Sequence, residues 1–456
     1  MNTAQEAAST SLALGTHPPG NPALGKARRR VASFLGGSNV TILRTVLSVL
    51  SLSAILATSV SPAWANVVND WDAIASTTIV TNAKFGAGPA IVSFTYPHLA
   101  MYDAVNSITG GFQPYLFSTR PSAGANQEAA AVAAAHDVLV HYFPTQQSAL
   151  DADEATSLAG IPDTSNDISA GVSVGQASAQ ALIQARANDG LLANVPYTPG
   201  TGPGVWQPTP PAFAPAVTPW LGQMTPFTMK AAGQFFPSDG PPNLNSKTWI
   251  RNYNETKSLG DINSTTRTAA QTEIALFYTD HPAQQFARAL QGLVTQQGLD
   301  TADSARLMAM AWTGGADALI GCFNAKYFYS FWRPVTAIRV GGANDELVGD
   351  PNWTPLGITP AHPEYPSSHS CFTSAFADLI AGFFGTDRVH LVLKSLVTQT
   401  THTFDNTNDL VTEVENARIY AGFHYRHSVK DGRTLGGKVA DQILKKFFRK
   451  VKEPGM

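Results

Sequence analysis

The sequence predicts a mainly α-helical protein built around helical bundles. Ala-rich stretches carry apolar residues at helical spacing and are bounded by capping residues, Gly or Pro. No run alternates between apolar and polar residues over more than a few positions, so long strands are not expected. Apolar residues make up 44% of the 456 residues and charged residues 14%. This composition describes a packed globular protein of one large or two coupled domains.

The first predicted block, residues 66–195, is an N-terminal helical region. Its predicted helices are 90–108, 128–142 and 167–187. We interpret Pro97 as a first-turn proline that marks where the regular part of the first helix starts. Gly110-Gly111 ends that helix, and Asn188-Asp189-Gly190 closes the third.

Residues 196–242 differ sharply in composition. Prolines recur throughout this segment and exclude a regular helix. Four aromatic residues within it, Trp206, Phe213, Trp220 and Phe227, need a surface against which to bury. The segment is therefore predicted to be a Pro-rich aromatic wrapping loop rather than a linker.

Residues 243–456 are predicted to form a C-terminal helical domain. Its predicted helices are 265–279, 283–297, 302–327, 372–384, 387–398, 411–424 and 434–450. The helix at 302–327 is capped by Asp300 or Thr301. The Lys/Arg-rich end of the last helix suits the helix dipole.

Residues 1–65 resemble an export signal. Lys26 and Arg28–Arg30 form a basic segment, residues 46–60 an apolar core, and Ala63-Trp64-Ala65 a small-x-small cleavage site. The alternative is a single membrane anchor, but the apolar run is shorter than the roughly 20 residues that a span needs. We predict an exported protein, periplasmic or secreted, without a stable membrane span after processing.

Three further observations bound the possible partners and the compartment. Arg29-Arg30 resembles a twin-arginine signal, so the sequence does not distinguish export by the Sec route from export by the twin-arginine route. The net charge of −3 gives no indication of the basic surface that binds nucleic acid. The two cysteines, Cys322 and Cys371, form either one disulfide or two buried thiols. The sequence permits a homo-oligomer without establishing one.

Three short clusters in the last third of the chain can build an anion cage. In chain order they are Lys326 with Arg333-Pro334, Pro366-Ser367-Ser368-His369, and Arg418 with His424. The ammonium and the two guanidiniums supply positive charge, and the serines supply neutral donors. Solvated helix ends are the alternative for these cations, but the aromatic residues among 327–332 would then form a very apolar exposed face. Those aromatic residues are better explained as the lining of a site that excludes water.

These clusters resemble the three-part signature shared by type 2 phosphatidic acid phosphatases, bacterial acid phosphatases and vanadium-dependent haloperoxidases. The order of the clusters and the spacings Lys326-x6-Arg333 and Arg418-x5-His424 match that signature. Residues 96–106 and 205–211 are similar to the larger haloperoxidase-type members. The resemblance therefore spans most of the chain after residue 65 and implies the helical-bundle architecture of this superfamily.

The resemblance also implies a role for each cage residue. The groups that bind the equatorial oxygens would be Lys326, Arg333, Arg418, Ser367 and the Ser368 amide. His424 would bond the central atom, as the metal ligand to vanadium in peroxidases or as the nucleophile in phosphatases. His369 would be the acid–base group, and Lys326 would also polarise bound peroxide. The implied cofactor is vanadate rather than haem, with phosphate as a competing occupant.

The chain departs from the signature at two positions. Ser368 stands where Gly is usual, so its added Cβ requires an acceptable backbone geometry. Ser428 replaces an Asp often found four residues after the last His. If His424, Ser428 and Asp431 share one helix face, Ser428 or Asp431 orients the imidazole instead. We interpret the missing Asp as favouring a peroxidase, since a phosphatase needs a more strongly activated His.

His362 lies seven residues before His369. In the family, a histidine here accompanies bromoperoxidases and an aromatic residue accompanies chloroperoxidases, so the resemblance implies bromide or iodide oxidation. The alternative is a loop histidine capped by Glu364. Asp280 and Asp303 are weaker candidates as partners of Arg418.

Three classes of function follow. The first is a vanadate-dependent haloperoxidase that uses hydrogen peroxide to oxidise halide to hypohalous acid, which then reacts with small organic substrates. The second is an exported acid phosphatase with a phosphohistidine intermediate. The third, an exported oxyanion binder, leaves both histidines of the cage unexplained.

Overall fold

The computed structural model describes residues 66–162 and 167–451, and this part is mainly α-helical as predicted. The predicted export signal lies outside the described residues and stays a prediction. The helices are α1 Val67–Ser76, α2 Ala87–Thr109, α3 Gln127–Tyr142, α4 Gln147–Gly160, α5 Ile168–Arg186, α6 Lys247–Gly260, α7 Ala269–Phe277, α8 Pro282–Gln297, α9 Thr301–Tyr329, α10 Pro334–Arg339, α11 Ser368–Phe384, α12 Thr407–Tyr420 and α13 Arg426–Lys446. None of these described helices is long and apolar enough to cross a membrane.

Capping residues start several helices where the sequence predicted a boundary. Asp300 caps α9 by accepting a hydrogen bond from the Asp303 amide, so Thr301 is the first helical residue rather than the cap. Asn126 caps α3 and Asp167 caps α5 in the same way.

Helix α2 passes straight through Pro97, so the prediction that the helix starts there is wrong. Every residue from 90 to 106 is buried, and α2 packs against α3, α5 and α9. An interior proline costs a helix about 3 kcal/mol. Burying several large apolar side chains, at roughly 1.5–3 kcal/mol each, outweighs that cost.

The predicted helix at 387–398 is also wrong, because a short antiparallel hairpin occupies this region. Strands β1 Leu391–Lys394 and β2 Thr401–Phe404 pair with Leu391 opposite Phe404. Along β1, buried and exposed residues alternate, which is a strand period rather than a helical one. His402 fixes the hairpin to the helices, with ring nitrogens 2.6 Å from Glu413 Oε1 and 2.9 Å from Glu273 Oε2.

One large hydrophobic core joins the N-terminal helices to the C-terminal ones. At its centre α9 packs against α2 and α11, and α11 packs against α13. Cys322 of α9 and Cys371 of α11 form a disulfide, with 6.4 Å between their Cα atoms. Of the two alternatives from sequence, the structure therefore has the bridge, which ties together the helices that carry two of the three clusters.

Residues 196–242 run irregularly over this core, apart from a 3-10 turn at Pro219–Gln223. Trp206, Trp220 and Phe227 are buried, whereas Phe213 is 63% exposed and does not follow the predicted pattern. Buried Asp317 of α9 holds the segment by accepting hydrogen bonds from the backbone amides of residues 227, 228 and 229 at 2.7, 2.7 and 3.1 Å.

Candidate active site

Lys326 lies in the last turn of α9 and is fully buried. Its Nζ donates to the backbone carbonyls of Pro363 at 3.0 Å and Glu364 at 2.9 Å. Burial, reinforced by the neighbouring Arg333 and Arg418, holds the pKa of Lys326 well below its ordinary value. An anion bound in this site would raise the pKa of Lys326 back towards its ordinary value.

Arg333 precedes α10 and is fully buried beside the same loop. Its Nε donates to the His362 carbonyl at 2.9 Å, and its Nη1 donates to the Phe423 carbonyl at 3.0 Å. Nη1 also lies 3.3 Å from Nε2 of His424. Burial lowers the pKa of Arg333 to about 10. Arg333 thus connects the segments that carry the second and third clusters.

Arg418, in the last turn of α12, is the third buried cation. Its Nη1 donates to the Tyr278 carbonyl at 3.2 Å, and its Nε has no partner among the described residues. Burial, followed by the charge of Arg333, lowers the pKa of Arg418 to about 9. Pairing with Asp280 is wrong, because that carboxylate binds Arg288 at 2.6 Å.

The second cluster forms the start of α11. Ser367 is the N-cap residue, Ser368 is the first helical residue and His369 is the second. Ser368 has a helical backbone, so its Cβ is readily accommodated where the family signature has Gly. The Ser367 hydroxyl is fully buried and has no partner within the described part of the chain. This helix start directs amide donors and a positive dipole end at the site.

His424 lies in the loop between α12 and α13, not on a helix. The prediction that it shares a helix face with Ser428 and Asp431 is therefore wrong. Its Nδ1 is 2.8 Å from Oε1 of Glu364, so Nδ1 donates and the Nε2 lone pair points towards Arg333. Burial and then Arg333 hold the pKa of His424 well below its ordinary value, which keeps the ring neutral.

Glu364 is the functional residue that sequence reasoning missed. Its Oε1 also accepts from the Tyr425 amide at 3.1 Å, and its Oε2 accepts from the Ser428 hydroxyl at 2.6 Å. Ser428 thus acts on His424 only through Glu364, while Asp431 binds the Tyr365 hydroxyl instead. The sequence feature that could have pointed to Glu364 is Ser428. Because a serine replaces the signature Asp, another residue must supply the carboxylate that orients His424.

The charges and unpartnered groups of the site fit an oxyanion. Three cations, Lys326, Arg333 and Arg418, are at most 2% exposed, and Glu364 is the carboxylate that the structure places among them. Burial raises the pKa of Glu364 to about 6, so near neutrality it is still mostly the carboxylate and offsets only part of the positive charge. The Ser367 hydroxyl and Arg418 Nε are donors without partners in the described residues. We call these five residues, together with His424 and Ser368, the cage; its donors and excess charge suit vanadate or phosphate.

His369 and His362 face the cavity that opens above the cage. Its volume is about 440 Å³, and Ser368, Arg418 and His424 also line it. His369 is half-buried; burial and then Arg418 hold its pKa well below the ordinary value, so it is a neutral proton acceptor. His362 Nδ1 lies 3.0 Å from Arg333 Nη2. The alternative in which Glu364 caps His362 is wrong, because the Glu364 carboxylate is engaged with His424.

The lowered pKa values predict that anion binding takes up protons. Sulfate, which does not titrate near neutrality, is expected to bind with proton uptake between the lowered pKa of Lys326 and its ordinary 10.5. In this window the bound state keeps the proton and the free state loses it, so sulfate affinity falls as pH rises. Calorimetry in buffers of different ionisation heat measures the uptake.

A matched pair of variants controls this prediction. Lys326→Met is expected to lower the uptake, whereas the exposed Lys430 is outside the cage, so Lys430→Met should leave it unchanged. Sulfate binding with no proton exchange at any pH up to about 10 would contradict the lowered pKa values.

Comparisons with known proteins find likeness in part of the sequence and in the fold. Residues 306–453 match the family model of the VCPO second helical-bundle domain. Over 96 residues the chain is 32% identical to the vanadium chloroperoxidase of Curvularia inaequalis; this match covers 19% of the chain and only 15% of that protein's length.

Two solved structures share the fold over most of the chain. The crystal structure of the first bacterial vanadium-dependent iodoperoxidase has a TM-score of 0.74 at 22% identity, covering 85% of this chain and 98% of that one. The holo-type bacterial vanadium-dependent chloroperoxidase has a TM-score of 0.67 at 17% identity, covering 84% and 96%.

The fold and the site define a helical-bundle protein with a buried oxyanion cage. The C-terminal helical region, residues 306–453, belongs to the superfamily of vanadium-dependent haloperoxidases and type 2 phosphatidic acid phosphatases, and the described chain shares the fold of the haloperoxidases. Because this superfamily includes two chemistries, its membership does not by itself assign an activity.

Proposed function

We propose that the protein is a vanadate-dependent haloperoxidase that oxidises bromide or iodide with hydrogen peroxide to hypohalous acid. The observation that carries the proposal is the cage: buried cations in excess of carboxylate surround the unprotonated Nε2 of His424. The haloperoxidases with which the chain shares its fold support this choice.

The cage residues have distinct tasks in this reaction. Vanadate, when bound, would supply a Lewis-acid centre that activates peroxide for attack by halide. Lys326, Arg333 and Arg418 neutralise the negative charge of the oxyanion, and Ser367 with the first amides of α11 donates hydrogen bonds to its oxygens. His424 offers its Nε2 lone pair to the central atom, and Glu364 fixes the tautomer that leaves this lone pair free.

His369 carries the proton transfer. It lies in the first turn of α11, faces the cavity and is neutral because burial and Arg418 lower its pKa. A neutral imidazole accepts a proton from incoming peroxide and returns it to the departing oxygen. Buried cations nearby disfavour a lasting imidazolium, which suits a group that must release the proton again.

Halide preference depends on His362 in this proposal. His362→Phe is expected to shift the ratio of kcat/KM for bromide over chloride towards chloride, by roughly tenfold or about 1.4 kcal/mol. The change frees Arg333 Nη2, 3.0 Å from the ring, to withdraw charge from the bound oxyanion, which favours the halide that is harder to oxidise. Steady-state kinetics with both halides provide the ratio.

A second histidine provides the control for this experiment. His390 is paired with Asp405 at the hairpin, so His390→Phe is expected to leave the ratio unchanged. An unchanged ratio in His362→Phe as well would remove His362 from halide selection.

The second candidate, an exported acid phosphatase, gains support from one observation. The missing Asp no longer counts against a phosphatase, because Glu364 supplies a carboxylate at 2.8 Å from His424 Nδ1. Such a pair also activates a histidine that attacks phosphorus, with His369 protonating the leaving alcohol. Only the substrate then separates the two activities.

The deciding experiment compares both activities in one preparation. Purified protein is incubated with vanadate and assayed for peroxide-dependent bromination and, in parallel, for phosphate ester hydrolysis. We expect bromination that requires vanadate and falls when phosphate competes. If vanadate only inhibits hydrolysis and never confers bromination, the protein is the phosphatase.

Export to the periplasm or the medium is part of the proposal. The disulfide between Cys322 and Cys371 supports it, since such bonds persist mainly in oxidising compartments.

A further inference from the structure

Helix α6 packs against the elements that carry three of the cage residues. One face of α6 is buried, and the helix contacts α10, α12 and α13. Arg333 precedes α10, Arg418 is in the last turn of α12, and His424 lies in the loop before α13. No cage residue belongs to α6 itself, so this helix can affect the cage only through these neighbours.

The loop that carries His424 runs from the end of α12 at Tyr420 to the start of α13 at Arg426. The His424 amide donates a hydrogen bond to the Arg418 carbonyl at 3.3 Å. The His424 carbonyl accepts a hydrogen bond from the hydroxyl of Thr256 on α6 at 3.1 Å. Within the described residues this carbonyl has no other donor. Thr256 is therefore one of two hydrogen-bond anchors for the main chain of the histidine.

The contact between Thr256 and His424 is shielded from water. Thr256 is fully buried, and His424 is 1% exposed. A buried carbonyl that loses its donor cannot bond to water instead, so the peptide after His424 would have to rotate to find another donor. Such a rotation displaces the Cα that carries the imidazole. The distances from the ring to Glu364 Oε1, 2.8 Å, and to Arg333 Nη1, 3.3 Å, depend on that Cα.

A pair of glycines lets α6 approach the loop closely. A Cβ on Gly260 would lie 2.5 Å from the Cα of Gly422, and a Cβ on Gly422 would lie 2.7 Å from the Gly260 carbonyl oxygen. Gly422 also has a φ of +75°, which residues with a side chain rarely adopt. Glu255 of α6 binds Arg426, the first residue of α13, at 2.7 Å. Helix α6 therefore contacts the chain on both sides of His424.

We propose that Thr256 is a positioning residue for His424, whose hydroxyl fixes the main chain of the loop so that the imidazole Nε2 faces the bound oxyanion. Thr256 donates to the backbone of His424 and so acts through that residue, not on the reacting atoms. The inference rests on the proposed function for the role of Nε2 as the vanadium ligand. The placement of the imidazole can be measured without vanadate.

Thr256→Val tests the proposal because it removes the hydroxyl and nearly keeps the shape of the side chain. NMR of protein with nitrogen-labelled histidine, without vanadate, measures how fast the His424 Nδ1 proton exchanges with water. We expect this exchange to be about tenfold faster in Thr256→Val, because the loop has lost one buried hydrogen bond. Thr256→Ser restores a hydroxyl and should exchange at close to the native rate. Unchanged exchange in Thr256→Val would overturn the proposal.

Thr95 of α2 provides the matched control. Its hydroxyl is also buried and donates to the backbone carbonyl of Trp312 on another helix, at 3.0 Å. Trp312 lies in the first half of α9, about 21 Å along the helix from Lys326. Thr95→Val should therefore lower the unfolding temperature much as Thr256→Val does, but leave the His424 proton exchange unchanged. If both variants speed this exchange equally, the effect is general destabilisation and the proposal is wrong.

Vanadate and sulfate binding separate this inference from the proposed function. In Thr256→Val, vanadate affinity is expected to fall by about tenfold, whereas sulfate, which needs only the cations and neutral donors, should bind as in the native protein. Native vanadate affinity in the variant would overturn the role of Thr256 while the peroxidase stands. If the native protein neither binds vanadate nor brominates, but the exchange rates follow the expected order, Thr256 still positions His424 and the peroxidase is contradicted.

Discussion

Replacing His424 with Ala is expected to abolish vanadate-dependent bromination and any phosphate ester hydrolysis. His424 Nε2 is the unprotonated nitrogen that the structure directs at the cage, 3.3 Å from Arg333 Nη1. Without it, the central atom of a bound vanadate would lose the protein atom that is placed to bond it. Sulfate, which needs only the cations and donors, should still bind to the variant, and calorimetry measures this.

His369→Ala is the matched comparison for this prediction. This residue also lines the cavity but serves as the proton carrier, so its loss should leave vanadate binding intact. Turnover is expected to fall by about 10²–10⁴-fold, the usual contribution of a general acid–base group. Full bromination by His424→Ala would refute the assignment of the cage residues.

Replacing Glu364 with Gln is expected to lower vanadate affinity by about 10–100-fold. The substitution keeps the shape of the side chain but removes the carboxylate that accepts from His424 Nδ1 at 2.8 Å. Nitrogen NMR of labelled His424 should show protonated Nδ1 in the native protein and a mixture of tautomers in the variant. This signature appears without vanadate, so it does not depend on activity.

A rescue experiment distinguishes orientation from general damage to the core. Glu364→Ala leaves the Ser428 hydroxyl and the Tyr425 amide without their acceptor. Adding Ser428→Asp to that variant places a carboxylate where the family signature has one. We expect the double variant to regain vanadate affinity and the Nδ1-protonated tautomer; no recovery of either would limit Glu364 to a structural role.

Local signals in the sequence were sufficient for most helices. Asp300 and Asp167 are strong N-caps, and the stretches after them have helical apolar spacing. The helix predictions failed where tertiary packing overrode the local signal or where the chain forms a strand instead. Pro97 lies within α2 because the helix is buried on all sides, and residues 391–394 form a strand because their burial alternates.

The spacing of the three sequence clusters was sufficient to predict most of the cage residues. It could not predict the hydrogen bonds that hold them in place. Glu364 is 60 residues from His424 in the chain, and only the fold brings its carboxylate to the imidazole. The prediction that Asp431 orients His424 rested on a continuous helix. That helix begins at Arg426 instead, which leaves His424 in a loop and places Asp431 beside Tyr365.

The most direct test of the central claim is a crystal structure of the protein soaked with vanadate. We expect density within bonding distance of His424 Nε2, with its oxygens contacted by Lys326, Arg333, Arg418 and Ser367. Vanadate bound elsewhere, or held in the cage without a bond to His424, would contradict the claim that this histidine is the ligand.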